Sequence, residues 1–144
     1  MALTTFRSTA AWTGKGLLCQ GESRGFKVYM DEPEFLGGTD KAMNPVELLL
    51  CCLGGCISIS AAAFAPSCRV DLQAVSVELE GDLNPDGFTG KNPAVRKGFQ
   101  QIRFRLNITS PSPQGNIDRL VKLIEERCPV ADTLKGVQII HTID

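Results

Sequence analysis

Residues 45–65 constrain this chain more than any other stretch. From Pro45 to Ala65 the sequence reads PVELLLCCLGGCISISAAAFA, with Glu47 its sole charge, and Pro66 closes it. The start carries helix signals: Asn44 suits the N-cap, Pro45 suits the first helical position, and Glu47 sits where it can complete a capping box. As a helix the stretch would run about 31 Å. The uncharged part, Leu48–Ala65, only reaches the lower length limit for a membrane span. It also contains Gly54, Gly55, Ser58 and Ser60 and lacks flanking Trp or Tyr, so a buried core helix is expected and no membrane partner. A helix apolar all round must be covered on every side. A chain of 144 residues can hardly do that alone, so a partner subunit is expected.

The length suits one domain, residues 1–144. Fifteen Lys and Arg against 16 Asp and Glu leave a net charge of −1. That offers no basic excess to neutralise a run of phosphates, so nucleic acid is not an expected partner. One histidine, His141, rules out sites that need two imidazoles. Nothing in Met1–Ala10 resembles an export signal. The six cysteines, Cys19, Cys51, Cys52, Cys56, Cys68 and Cys128, contain no Cys-x-x-Cys pair. A cytoplasmic protein with reduced thiols is expected.

The expected element order is β-β-β-α-β-β-α-β, an α+β domain. Leu3–Trp12 reads as a strand, and Phe26, Val28 and Met30 alternate with polar neighbours as a half-buried one. Arg69–Glu80 reads as a strand whose apolar phase slips at Ala74–Val75, where a bulge would fit. Ile102, Phe104, Leu106 and Ile108 alternate with Arg103, Arg105 and Asn107, giving one wet face. A second helix is expected from about Ile117, with Leu120, Val121, Ile124 and Cys128 on its apolar stripe. Glu125–Arg127 would form its solvated face. Val137–Ile143 closes the chain as a strand holding a partly buried His141.

Two thiols carry the chemical interest. Cys56 lies inside the apolar helix and Cys128 on the stripe of the second, so packing of the two helices would bring both to one seam. As buried thiols they could equally be small core hydrophobes. Cys52, one turn before Cys56, makes a soft-metal set of Cys52, Cys56 and Cys128 a further alternative. Cys51 and Cys52 favour the reading as small core hydrophobes more strongly, and Cys19 and Cys68 read as filler and surface thiols.

Asn44-Pro45-Val46-Glu47-Leu48-Leu49-Leu50 followed by Gly54-Gly55-Cys56, together with Cys128-Pro129-Val130 and Leu134-Lys135, resembles the two cysteine motifs of the OsmC/Ohr family. These are the osmotically inducible and organic hydroperoxide resistance proteins. Trp12 and Gly14 fit the same pattern, and the likeness runs along the whole chain. The resemblance implies antiparallel sheets packed on two central helices in an intertwined homodimer. It also implies a cofactor-free, cysteine-based peroxidase acting on organic hydroperoxides. Cys56 would attack the peroxide, Cys128 would resolve the resulting sulfenic acid, and an external thiol reductant would reset the pair.

The chain departs from that family at its supporting charges. Val46 stands where the family's peroxidases carry a glutamate, and Lys15 or, less well placed, Arg24 would stand in for an arginine from the N-terminal strands. A lysine is a point charge rather than a planar fork. A second reading therefore stays open, in which the same fold binds a small apolar ligand or senses through its thiols.

Overall fold

The computed structural model describes residues 2–144; Met1 lies outside the described residues. The chain divides into two compact units between Leu49 and Leu50.

In the first unit, strands β1 (Thr9–Trp12), β2 (Cys19–Ser23) and β3 (Phe26–Met30) form an antiparallel sheet in that order. Arg24 and Gly25, both at positive φ, make the two-residue turn between β2 and β3. The strand expected over Leu3–Trp12 is confined to its last four residues. The β2 ladder ends with Thr9 opposite Glu22, because β2 turns away at Arg24, and residues before Thr9 have no strand to pair with. The face of β3 expected to be half-buried is open: Phe26 is 70 % exposed and Val28 38 %.

After β3 the chain turns on Asp31, which is 2 % exposed. Its carboxylate accepts the backbone N–H groups of Glu32, Thr39 and Lys41 at 2.8, 3.3 and 3.2 Å, and the Thr39 hydroxyl. These bonds hold its pKa at about 2, with the Thr39 hydroxyl contributing most. A 3-10 turn, Glu34–Leu36, sits inside the loop they close. Gly38 is required there, since a Cβ would stand 1.9 Å from the Glu32 carbonyl oxygen.

Helix α1 (Pro45–Phe64) begins as expected. Glu47 N–H donates to Asn44 Oδ1 at 2.9 Å, and Asn44 N–H donates back to Glu47 Oε2 at 2.8 Å. The helix has the length and hydropathy of a membrane span. One side of it nevertheless buries Leu53, Gly54, Ile57, Ser60 and Ala61 in the protein, while Ile59 on the other side stays 71 % exposed.

The second unit holds a sheet of order β4 (Ala74–Asp82), β5 (Gln101–Thr109) and β6 (Gln138–Ile143). Strands β4 and β5 are antiparallel; β6 runs parallel to β5, because helices α3 (Gln114–Arg127) and α4 (Pro129–Thr133) carry the chain back to the sheet's starting end. A four-residue helix, α2 (Asp86–Thr89), lies in the β4–β5 connection.

No bulge occurs at Ala74–Val75: pairing runs unbroken from Ala74 opposite Thr109 to Asp82 opposite Gln101. The apparent phase slip marks the start of the strand, since residues 69–73 leave a 3-10 turn, Pro66–Cys68, and carry Val70 into the core. That turn also buries Cys68, which is 3 % exposed rather than a surface thiol. The Arg119 side chain donates to the Cys68 carbonyl at 3.2 Å.

The core joins Leu53, Ile57 and Ala61 of α1 to Ile102 and Leu106 of β5 and Leu120, Val121 and Ile124 of α3. A Cβ on Gly54 would lie 2.6 Å from Leu79 Cδ1, so glycine lets α1 approach β4 closely. The opposite face of the sheet is wet, as its alternation requires. Arg103 bridges Glu80 and Asp82 at 2.8 and 2.6 Å, and Arg105 reaches Asp144 at 3.2 Å.

Candidate active site

Packing of α3 against α1 brings the two thiols of the sequence reading together. Cys128 Sγ donates to Cys56 Sγ at 3.0 Å. Cys56 is half-buried at the middle of α1, and Cys128 is 4 % exposed.

Cys128 does not lie inside the second helix as expected. That helix starts three residues earlier, at Gln114, and ends at Arg127. Pro129 disfavours helical geometry in the residue before it, so Cys128 is extended, with φ −72° and ψ 109°. It closes α3 and caps α4, its sulfur accepting the Ala131 N–H at 3.4 Å. The apolar stripe still delivers the side chain to the core. Burial pushes the Cys128 thiol above its ordinary pKa, only partly offset by the N–H groups of Ala131 and Val130.

The other candidates fall elsewhere. Cys51 and Cys52 are exposed on α1, and Cys19 lies in β2. Among the described residues, no group of three or more His, Cys, Asp or Glu is arranged to hold a metal ion. The Glu47 carboxylate is occupied by the helix cap. Lys15 lies in the turn after β1, where its carbonyl accepts the Leu18 N–H at 3.1 Å, and Arg24 stacks on the Phe26 ring at 5.4 Å.

The residues expected to be a plain solvated face do more than that. Glu125 Oε1 is 2.7 Å from His141 Nε2, and the imidazole stacks on Phe104 at 5.5 Å. Arg127 lies over the Phe64 ring at 5.5 Å. Periodicity identified Arg127 and Glu125 as surface positions but carried no sign of their partners, which lie on other elements.

Residues 38–142 match the family model described as OsmC-like protein. The chain belongs to the OsmC-like family. Among curated relatives of this OsmC-like chain is a protein named hydroperoxide reductase from Mycoplasma pneumoniae, 28 % identical over 102 residues, which span 69 % of this chain and 67 % of that protein. A crystal structure of an OsmC-like protein from Mycoplasma pneumoniae shares the fold with a TM-score of 0.84 at 22 % identity, covering 98 % of this chain and 96 % of the other. An organic hydroperoxide resistance protein OsmC from Legionella pneumophila superposes with a TM-score of 0.69 at 23 % identity, covering 100 % and 99 %. The α+β architecture, two three-stranded sheets with helices, is thus the OsmC-like fold.

Proposed function

We propose that this protein is a thiol-dependent peroxidase that reduces organic hydroperoxides in peroxide defence. The 3.0 Å approach of Cys56 and Cys128 carries the reading, and the relative named hydroperoxide reductase supports it.

Cys56, the less buried sulfur and the acceptor, attacks the peroxide as a thiolate. The O–O bond breaks, the alkoxide takes a proton and leaves as the alcohol, and Cys56 retains one oxygen as sulfenic acid. The Cys128 sulfur then attacks the sulfenic sulfur, and the expelled hydroxide leaves as water with the thiol proton. The sulfurs end as a disulfide. Two electrons from an external thiol reductant restore both thiols by exchange. An apolar organic group on the peroxide gains from burial beside α1, where hydrogen peroxide gains nothing comparable.

The working form is a homodimer in the cytoplasm. The open side of α1, with Cys52, Gly55 and Ile59 exposed, is apolar enough to require cover by a second copy.

One equivalent of cumene hydroperoxide added to reduced protein tests the reaction. Loss of two hydrogens in the intact mass, mapped to a Cys56–Cys128 disulfide, is expected. An unchanged mass would overturn the peroxidase and favour apolar-ligand binding on the same fold.

A further inference from the structure

Building on the peroxidase reading, we propose that Arg127 is a positioning residue for the disulfide step, clamping the end of α3 onto α1 so that Cys128 stays in reach of Cys56. Helix α3 is fastened along its length in three ways. Near its start, Asn116 Nδ2 donates to the Arg69 carbonyl and Arg119 Nη2 to the Cys68 carbonyl, each at 3.2 Å. In its middle, Leu120, Val121 and Ile124 are buried. Its last turn carries two side-chain ties. Glu125 binds His141 on β6, and Arg127 lies over Phe64, the last residue of α1.

Only the second of these two ties runs to the helix that carries Cys56. Arg127 is also the residue directly before Cys128, so any outward swing of the α3 end moves the resolving sulfur with it. The guanidinium is attracted to the face of the ring, and the stem covers apolar surface. A cation in the last helical turn is favoured by the helix dipole as well. The contact is exposed at Arg127 and half-buried at Phe64. It is therefore of modest strength, suited to setting a separation between two sulfurs rather than to holding the fold.

The effective concentration of the two thiols measures this clamp without any peroxide. Full-length wild type, Arg127→Met, Arg127→Lys, Phe64→Leu and the Arg127→Met/Phe64→Leu pair are equilibrated in glutathione buffers. Oxidised glutathione takes up two electrons from Cys56 and Cys128, leaving the disulfide and two reduced glutathiones. Mass spectrometry reads the oxidised fraction.

Arg127→Met keeps the stem and loses the charge, and is expected to lower the effective concentration about three- to fivefold, the factor an exposed cation–π contact carries. Arg127→Lys should remain near wild type. Phe64→Leu should match Arg127→Met, and the double variant should fall no further.

An unchanged Arg127→Met protein, a lysine variant as impaired as the methionine one, or additive losses in the double variant would each overturn the clamp. Wild type that closes its disulfide with glutathione yet ignores cumene hydroperoxide would sink the peroxidase alone, leaving the clamp standing.

Discussion

Cys128 donates its S–H to Cys56 across 3.0 Å, joining the end of α3 to the middle of α1. The donor and the acceptor have different assigned tasks, so their serine variants should fail differently. Cys56→Ser is expected to stop peroxide consumption. Cys128→Ser should consume one equivalent and stall as a sulfenic acid, seen as the gain of one oxygen and trapped by dimedone. Sustained turnover by Cys56→Ser protein would contradict the assignment.

The burial that raises the Cys128 pKa sets a pH dependence. A raised pKa keeps the thiol protonated through the neutral range, while attack on sulfenic sulfur needs the thiolate. The rate of disulfide closure should therefore keep climbing with pH through the ordinary cysteine range near 8.5 and beyond it. Stopped-flow closure of preformed sulfenic acid after a pH jump provides the test. A plateau reached by about pH 9.5, one unit above that range, would show that Cys128 ionises as an ordinary exposed thiol does.

Asp31 supports the fold in a defined acid window. Its pKa drops from 3.8 to about 2 on folding. The depressed value means that the carboxylate stabilises the native state fully above the unfolded value, and that this contribution is lost as pH falls through the folded one. Urea midpoints of wild type and Asp31→Asn should differ most near neutrality and converge between pH 4 and pH 2. Parallel midpoint curves across that range would refute the role.

Gly54 and Gly115 should respond in opposite ways to alanine. A Cβ at position 54 meets Leu79 Cδ1 at 2.6 Å, whereas one at position 115 meets nothing within 4 Å. Gly54→Ala should cost about 1–3 kcal/mol by overpacking. Gly115→Ala should gain up to about 1 kcal/mol from helix propensity. Chemical denaturation of the two variants against wild type decides both signs.

Local signals in the sequence were enough for much of the fold. The Asn44–Glu47 cap, the run of α1 and the alternation of β5 each depend on neighbours a few residues away, and each forms where expected. The first strand was overextended because pairing depends on where β2 ends, which residues 3–8 cannot reveal. The parallel alignment of β6 follows from the path of α3 and α4 rather than from its own side chains. Cys56 and Cys128 were legible as a pair through the spacing of apolar residues on two helices. The contacts of Arg127 with Phe64 and of Glu125 with His141 were not, since long-range pairing of surface residues leaves no periodic trace.

Cys128 is a single extended residue between two helices, α3 ending before it and α4 beginning after it. Going from 3.0 Å to a disulfide bond length asks the sulfurs to close by about 1 Å. A joint of one residue can supply that stroke by torsion of its own backbone and side chain, with no turn of either helix unwound. The oxidised and reduced proteins would then share one scaffold, and a cycle of oxidation and reduction would resemble a latch turning on its pin.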